Sequence, residues 1–234
     1  MRLTPVAIIL LASFGLTGPA MAQLAASPPL PAAQSAAGKP LVAQAQAALE
    51  AKRWPDAEAV LKQLAATEPR WEYFAALGDA QINAGHYEDS IASYQHGIDL
   101  GQKIAGSAAI ARMYTQIGND NLKLRKNDAA IAAYTKAAAL DPNPGVAYFN
   151  LCATQYNLGN AESATVACDK AIAADPSRAD AYFIKGSLLV AESKMVGDTV
   201  VAPAGTKEAL QKYLALAPNG PHAQDVKQML DYLK

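Results

Sequence analysis

Apolar positions recur at helical spacing within short segments, and the segments themselves recur at a fixed distance. Between Ala111 and Arg178 one 34-residue pattern is written twice and leads into a third copy. Tyr114, Tyr148 and Tyr182 share that spacing, as do Ala130 with Ala164, Lys136 with Lys170 and Ala137 with Ala171. Asp141-Pro142 and Asp175-Pro176 close two of the copies. Each copy has two amphipathic halves, which predicts a pair of antiparallel helices whose apolar face only a neighbouring pair can bury. The expectation is an all-α chain, an α-solenoid of helical hairpins. An excess of alanine, which costs least in a helix, points the same way.

Weaker copies flank the clear ones. The first, near 38–70, has Ala57-x3-Leu61 and Pro69, and Trp54-Pro55-Asp56 opens its second helix with proline where a missing N–H costs nothing. The second, near 71–104, carries Phe74-x2-Leu77-Gly78, Gly85 at the turn and Ser90-x3-Tyr94, but Gln102 stands where a closing proline is expected. About six extra residues up to Ile110 predict a longer helix or a local change of superhelical angle. The third and fourth copies span 111–144 and 145–178. In the fifth, 179–217, the second helix with Ala209-x3-Tyr213 comes about eleven residues late. The insertion Lys194–Gly205 has β-branched residues beside a two-residue Gly197-Asp198 turn, so it reads as a small β-hairpin, with a bare loop as the alternative. Over 218–234 a last helix places Val226, Met229, Leu230 and Leu233 on one face, as a capping helix requires.

Tyr114-x2-Ile117-Gly118, Ala130-x3-Tyr134 and Pro142 resemble the tetratricopeptide repeat, as do Tyr148-x2-Leu151-Cys152, Ala164-x3-Cys168 and Pro176. Cys152 replaces the usual glycine, Cys168 the usual aromatic, and Asn121 and Gln155 the usual tyrosine. The resemblance implies a right-handed superhelix whose concave groove, lined by the first helix of each hairpin, binds a protein or an extended peptide. Mapped onto this chain, that groove includes Arg112, Asn119, Lys123, Phe149, Asn150, Tyr156, Asn157 and Asp180. Asparagine amides suit the backbone of an extended peptide, and Phe149 and Tyr156 would be its apolar anchors. Chaperone-binding members hold a carboxylate with two asparagines, matched by Asn119 and Asn150, and three basic residues, whose places are taken by Thr115, Asp180 and Ile184. Asp180 would repel a carboxylate, so that clamp is rejected. The same resemblance puts Cys152 and Cys168 on facing helices and implies a disulfide between them, against two buried free thiols.

The beginning of the chain reads differently. Arg2, an apolar run from Val6 to Leu16, Gly18-Pro19 and Ala20-Met21-Ala22 predict a signal peptide over 1–22, cleaved to leave a periplasmic or secreted protein. Residues 23–37, rich in Ala and Pro and almost uncharged, predict a disordered linker ahead of a repeat domain over 38–234. No later apolar run is long enough to span a bilayer.

Composition removes other function classes. In 234 residues the net charge is −1, with no block of basic residues for nucleic acid. The three histidines, His86, His96 and His222, lack metal-ligand spacing, and no Cys-x-x-Cys, phosphate-binding glycine loop or Gly-x-Ser-x-Gly elbow is present. No enzyme, metal or cofactor is expected. The expected function is a non-enzymatic scaffold holding a protein or peptide partner in its groove. The alternative is a structural assembly factor of a cell-envelope complex, working through the ends or sides of the solenoid.

Overall fold

The computed structural model describes residues 30–233. The expected signal peptide and linker residues 23–29 lie outside the described residues. The described chain forms two compact units, 30–144 and 145–233.

The first unit consists of three helical hairpins. They are α1 (Gly38–Glu50) with α2 (Trp54–Thr67), α3 (Trp71–Ala84) with α4 (Tyr87–Gly101), and α5 (Ser107–Lys123) with α6 (Asn127–Leu140). Pro55 sits in the first turn of α2, as its sequence predicts. At the turn of each hairpin one residue adopts positive φ: Lys52 (53°), Gly85 (81°) and Arg125 (58°). One core gathers Ala45, Ala48, Ala57, Leu61, Leu64, Tyr73 and Leu77, and another gathers Tyr94, Ile98, Ile110, Met113 and Ile117. Small residues let paired helices approach: a side chain at Gly78 would strike the ring of Tyr94, and one at Gly118 the ring of Tyr134. The extra residues after α4 form a turn and lengthen α5 to 17 residues, while Ile104 is left 76% exposed.

The second unit pairs α7 (Gly145–Asn157) with α8 (Ala161–Ala174), and α9 (Ala179–Ala191) with α10 (Thr206–Leu216), and adds α11 (Ala223–Tyr232). The glycine and aromatic positions that Gly78 and Tyr94 hold in the first unit are here Cys152 and Cys168, which are joined in a disulfide with Cα atoms 4.9 Å apart. Asp175 Oδ1 accepts hydrogen bonds from the backbone N–H and hydroxyl of Ser177, the turn role its place before Pro176 suggests. Between α9 and α10, β1 (Lys194–Val196) and β2 (Thr199–Val201) pair antiparallel across Gly197-Asp198, with Met195 opposite Val200. The insertion is thus a β-hairpin, and Met195, Val196 and Val201 point largely into solvent. Ala223, Val226, Met229 and Leu233 are buried while Leu230 is half-buried, so α11 covers an otherwise open end of the α9–α10 hairpin. His222 stacks on Phe183, with ring centroids 3.9 Å apart and planes within 4°, and its backbone N–H donates to the Tyr213 hydroxyl.

Residues 30–37 correct an expectation. The sequence places them in a disordered linker, but Leu30 packs against the core of α1 to α3 and Ala33 is buried. The physical reason is local: the Glu68 carboxylate and the Tyr73 hydroxyl offer hydrogen bonds to a backbone that has no charged side chain to keep in water.

Candidate functional site

On α3 and α5, residues at helical spacing share one face of the first unit. Trp71, Glu72, Ala75, Ala76 and Asp79 from α3 and Ala109, Arg112 and Met113 from α5, with Leu30 and Pro31, line a cleft of about 70 Å³. Alanines and Met113 make an apolar floor, and Glu72, Asp79 and Arg112 make a charged rim. The rim is held from below: Asp79 accepts the Tyr94 hydroxyl and both its oxygens meet Arg112 Nη2, at 2.9 and 3.0 Å. Burial pushes the Tyr94 hydroxyl well above its ordinary range, and Asp79 adds to that, so tyrosine is the donor.

Further along α5 the polar side chains turn inward. Asn119 accepts the Tyr134 hydroxyl at 2.7 Å and donates to Gln116 at 2.9 Å. The neighbouring Asp120 is buried and its Oδ2 has no hydrogen-bond partner. Burial, assisted by the negative Asp79, pushes the Asp120 carboxyl up to about 7, against a hydrogen bond with Ser90 that favours the charged form.

In the second unit Phe149 lies buried beneath Arg178, whose guanidinium carbon is 5.2 Å from the ring centroid and whose Nη2 is 3.1 Å from Asp175. Tyr156 is half-buried, and burial raises its hydroxyl against a hydrogen bond with Ser187. Asn150 and Asp180 are also half-buried, while Asn157 is exposed.

Among the described residues one trio could gather a cation: Glu58, His86 and Asp89, whose ligand atoms lie within 4.8 Å of one another. The Lys62 ammonium stands 2.7 Å from Glu58 Oε1, and His86 Nδ1 is 2.8 Å from Oε2. Burial opposes ionisation of Glu58, but Lys62 and His86 outweigh it and hold the carboxyl below its ordinary value. An ammonium already seated on the only buried carboxylate of the trio makes this an ion-pair network, with no donor set left for a metal.

A sequence model described as Tetratricopeptide repeat matches residues 122–186, and a second of the same description matches 42–103. The chain belongs to the tetratricopeptide repeat family. Solved structures share the fold. MamA from Desulfovibrio magneticus RS-1 is 18% identical with a TM-score of 0.62, covering 85% of this chain and 99% of that one. YrrB, described as a TPR protein with an unusual peptide-binding site, is 16% identical with a TM-score of 0.61, covering 81% and 91%. A tetratricopeptide repeat protein from Parabacteroides merdae is 14% identical with a TM-score of 0.64, covering 85% and 75%. No curated protein sequence matches the chain.

In tetratricopeptide terms α1, α3, α5, α7 and α9 are the first helices of their hairpins, and the expected groove residues sort unevenly on them. Lys123 and Asn157 are exposed and Asn150, Tyr156 and Asp180 half-buried, so they are reachable. Asn119 and Phe149 are buried, so these two are corrected from ligand contacts to supports of the helices, while Arg112, half-buried and paired with Asp79, stays on the cleft rim. The reason is that an asparagine beside the glycine of the hairpin, like Asp79 beside Gly78, is used by the tyrosine opposite. What sequence reasoning missed is the set around residues 30–35, namely Gln46, Glu68, Arg70 and Tyr73. Its signal was Glu68-Pro69-Arg70, a charged pair flanking a repeat boundary.

Proposed function

We propose that this tetratricopeptide protein is a non-enzymatic scaffold that holds an extended segment of a partner protein on the first-helix face of its hairpins, in the periplasm or outside the cell. The cleft between α3 and α5 carries the reading: its apolar floor of small residues has room for one small side chain of a bound segment, and Glu72, Asp79 and Arg112 on its rim face the polar main chain beside it. Three of the groups with displaced pKa, Tyr94, Asp120 and Tyr134, are interior side chains packed between helices and not aligned for reaction on a substrate. Compartment rests on the signal-like sequence 1–22. Among the described residues no helix is long and apolar enough to cross a membrane.

A photo-crosslinking amino acid at Ala109, on the cleft, and at Ala132, exposed on α6, tests the face. A discrete adduct from position 109 that excess unlabelled protein competes away, with none from 132, is expected in envelope extracts. Equal adducts from both positions would sink the reading. The rival reading, an assembly factor using the side of the molecule, is favoured by the exposed Met195, Val196 and Val201. Changing all three to Thr would abolish partner capture on that reading and leave it intact on the groove reading.

A further inference from the structure

The first unit already holds a stretch of non-helical chain, its own, against α1, the end of α2 and α3, before a bend at Gln34 and Ser35 leads into α1. Leu30 to Ser35 is gripped through its backbone by side chains. The N–H of Leu30 donates to Gln46 Oε1 at 3.5 Å, and the N–H groups of Gln34 and Ser35 donate to the two oxygens of Glu68 at 3.0 and 2.6 Å. The carbonyl of Pro31 accepts the Tyr73 hydroxyl at 3.1 Å, and that of Ala32 accepts Arg70 Nη1 at 3.3 Å. Hydrogen bonds from Ser35 and Gln34 hold the Glu68 carboxyl below its ordinary value. Two positions are read by their side chains: Leu30 against the α1 to α3 core, and Ala33, buried. Leu30 and Pro31 also line the α3–α5 cleft, which continues past them to Arg112.

Four side chains aimed at main-chain amides and carbonyls, with sheltered places for an apolar residue and, three residues on, a small one, form a peptide-recognition site. Nothing in the grip depends on the charge of the segment it holds. Resting on the groove reading above, we propose that Leu30–Ser35 is a built-in pseudo-ligand: it fills the cleft's end at α1 and α3, and gives way to a partner's extended, uncharged, proline-containing segment. A short tether presents such a segment at an effective concentration on the order of millimolar, so an external peptide must outcompete it and is weakened by one plus the ratio of that concentration to the segment's own dissociation constant.

The test uses the full mature chain and a fluorescein-labelled peptide of sequence Leu-Pro-Ala-Ala-Gln-Ser. In one variant Leu30, Pro31, Ala32 and Ala33 become Gly, Ser, Gly and Ser, so the tether remains and the anchors are lost. The expected result is binding about tenfold tighter to this variant than to the parent. Adding Tyr73→Phe or Glu68→Gln to it weakens binding about fivefold, the value of one hydrogen bond. Equal affinity of the parent and the Gly/Ser variant overturns the proposal, as does indifference to Tyr73→Phe. Should the Gly/Ser variant not fold, amide exchange on the parent decides: Gln34 and Ser35 exchange slowly, and Glu68→Gln speeds them. Exchange at free-peptide rates in the parent overturns the pseudo-ligand. Crosslinking from position 109 combined with equal peptide affinities overturns this proposal alone. Tighter binding by the Gly/Ser variant without any crosslinked partner supports it and counts against the scaffold reading alone.

Discussion

Asp120 shows how far one buried group can move stability. Its carboxyl is pushed up to about 7 by burial, whereas an unfolded chain titrates near about 4. The folded state therefore binds the extra proton between those values, and stability falls as pH rises from about 4 to about 7, levelling beyond. Asp120→Asn removes the titration. The variant should match the parent below about pH 4 and exceed it by about 1–3 kcal/mol above pH 7, the full linkage being discounted for residual solvent contact. Urea unfolding at pH 4 and pH 8 measures it; an equal gain at both would show that the carboxyl does not titrate there. The cysteine pair supplies a second residue-level comparison. Gly78 meets Tyr94, and Gly118 meets Tyr134, at the positions Cys152 and Cys168 hold in the next hairpin. Cys168→Tyr alone would drive a ring into the Cys152 side chain, while adding Cys152→Gly rebuilds the pair used elsewhere. Thermal melting should rank the double variant above Cys168→Tyr, by about 1–3 kcal/mol for relieved overpacking. The reverse order would show that the hairpins are not equivalent.

At the scale of the element, each of the first four hairpins turns on one residue of positive φ. Gly85 and Gly159 adopt it without a side chain, but Lys52 and Arg125 adopt it with one. A non-glycine residue there costs about 1–2 kcal/mol, partly offset because glycine loses more freedom on folding. Arg125→Gly should therefore stabilise by roughly 0.5–1 kcal/mol and Gly85→Ala should destabilise by about 1 kcal/mol, both read by chemical denaturation. Stabilisation by Gly85→Ala would refute the turn argument. Elements were legible in the sequence to the degree that a periodic apolar face defines them. The hairpins around Tyr94 and Tyr134 announce themselves through paired glycine and aromatic, and the β-hairpin through Gly197-Asp198 between β-branched residues. Residues 30–35 were not legible, because a non-helical segment held by its backbone leaves no side-chain period to read. Asn119 and Phe149 misled for a related reason: a polar or aromatic residue on a first helix is written alike whether it faces a ligand or the helix opposite.

For the molecule as a whole, the disulfide and the N-terminal sequence make one joint claim. A bridge across a separation of 16 residues closes a small loop of the unfolded chain, worth ~3 kcal/mol on the chain-entropy account. Thiols pair stably in an oxidising compartment and stay reduced in the cytosol. If residues 1–22 direct export and are removed, the exported protein should begin at Gln23 and carry no alkylatable thiol. The same chain made without residues 1–22 and held in a reducing cytosol should carry two. Reduction should lower the melting temperature by about 6–12 °C, since each kcal/mol is worth about 2–4 °C in a chain of this size. Intact-mass spectrometry after non-reducing alkylation, on protein from both sources, reads the N-terminus and the thiols together. Two alkylated cysteines on the exported chain would refute the bridge in its proposed compartment. An N-terminus retaining residues 1–22 would refute cleavage while leaving the hairpin chemistry standing.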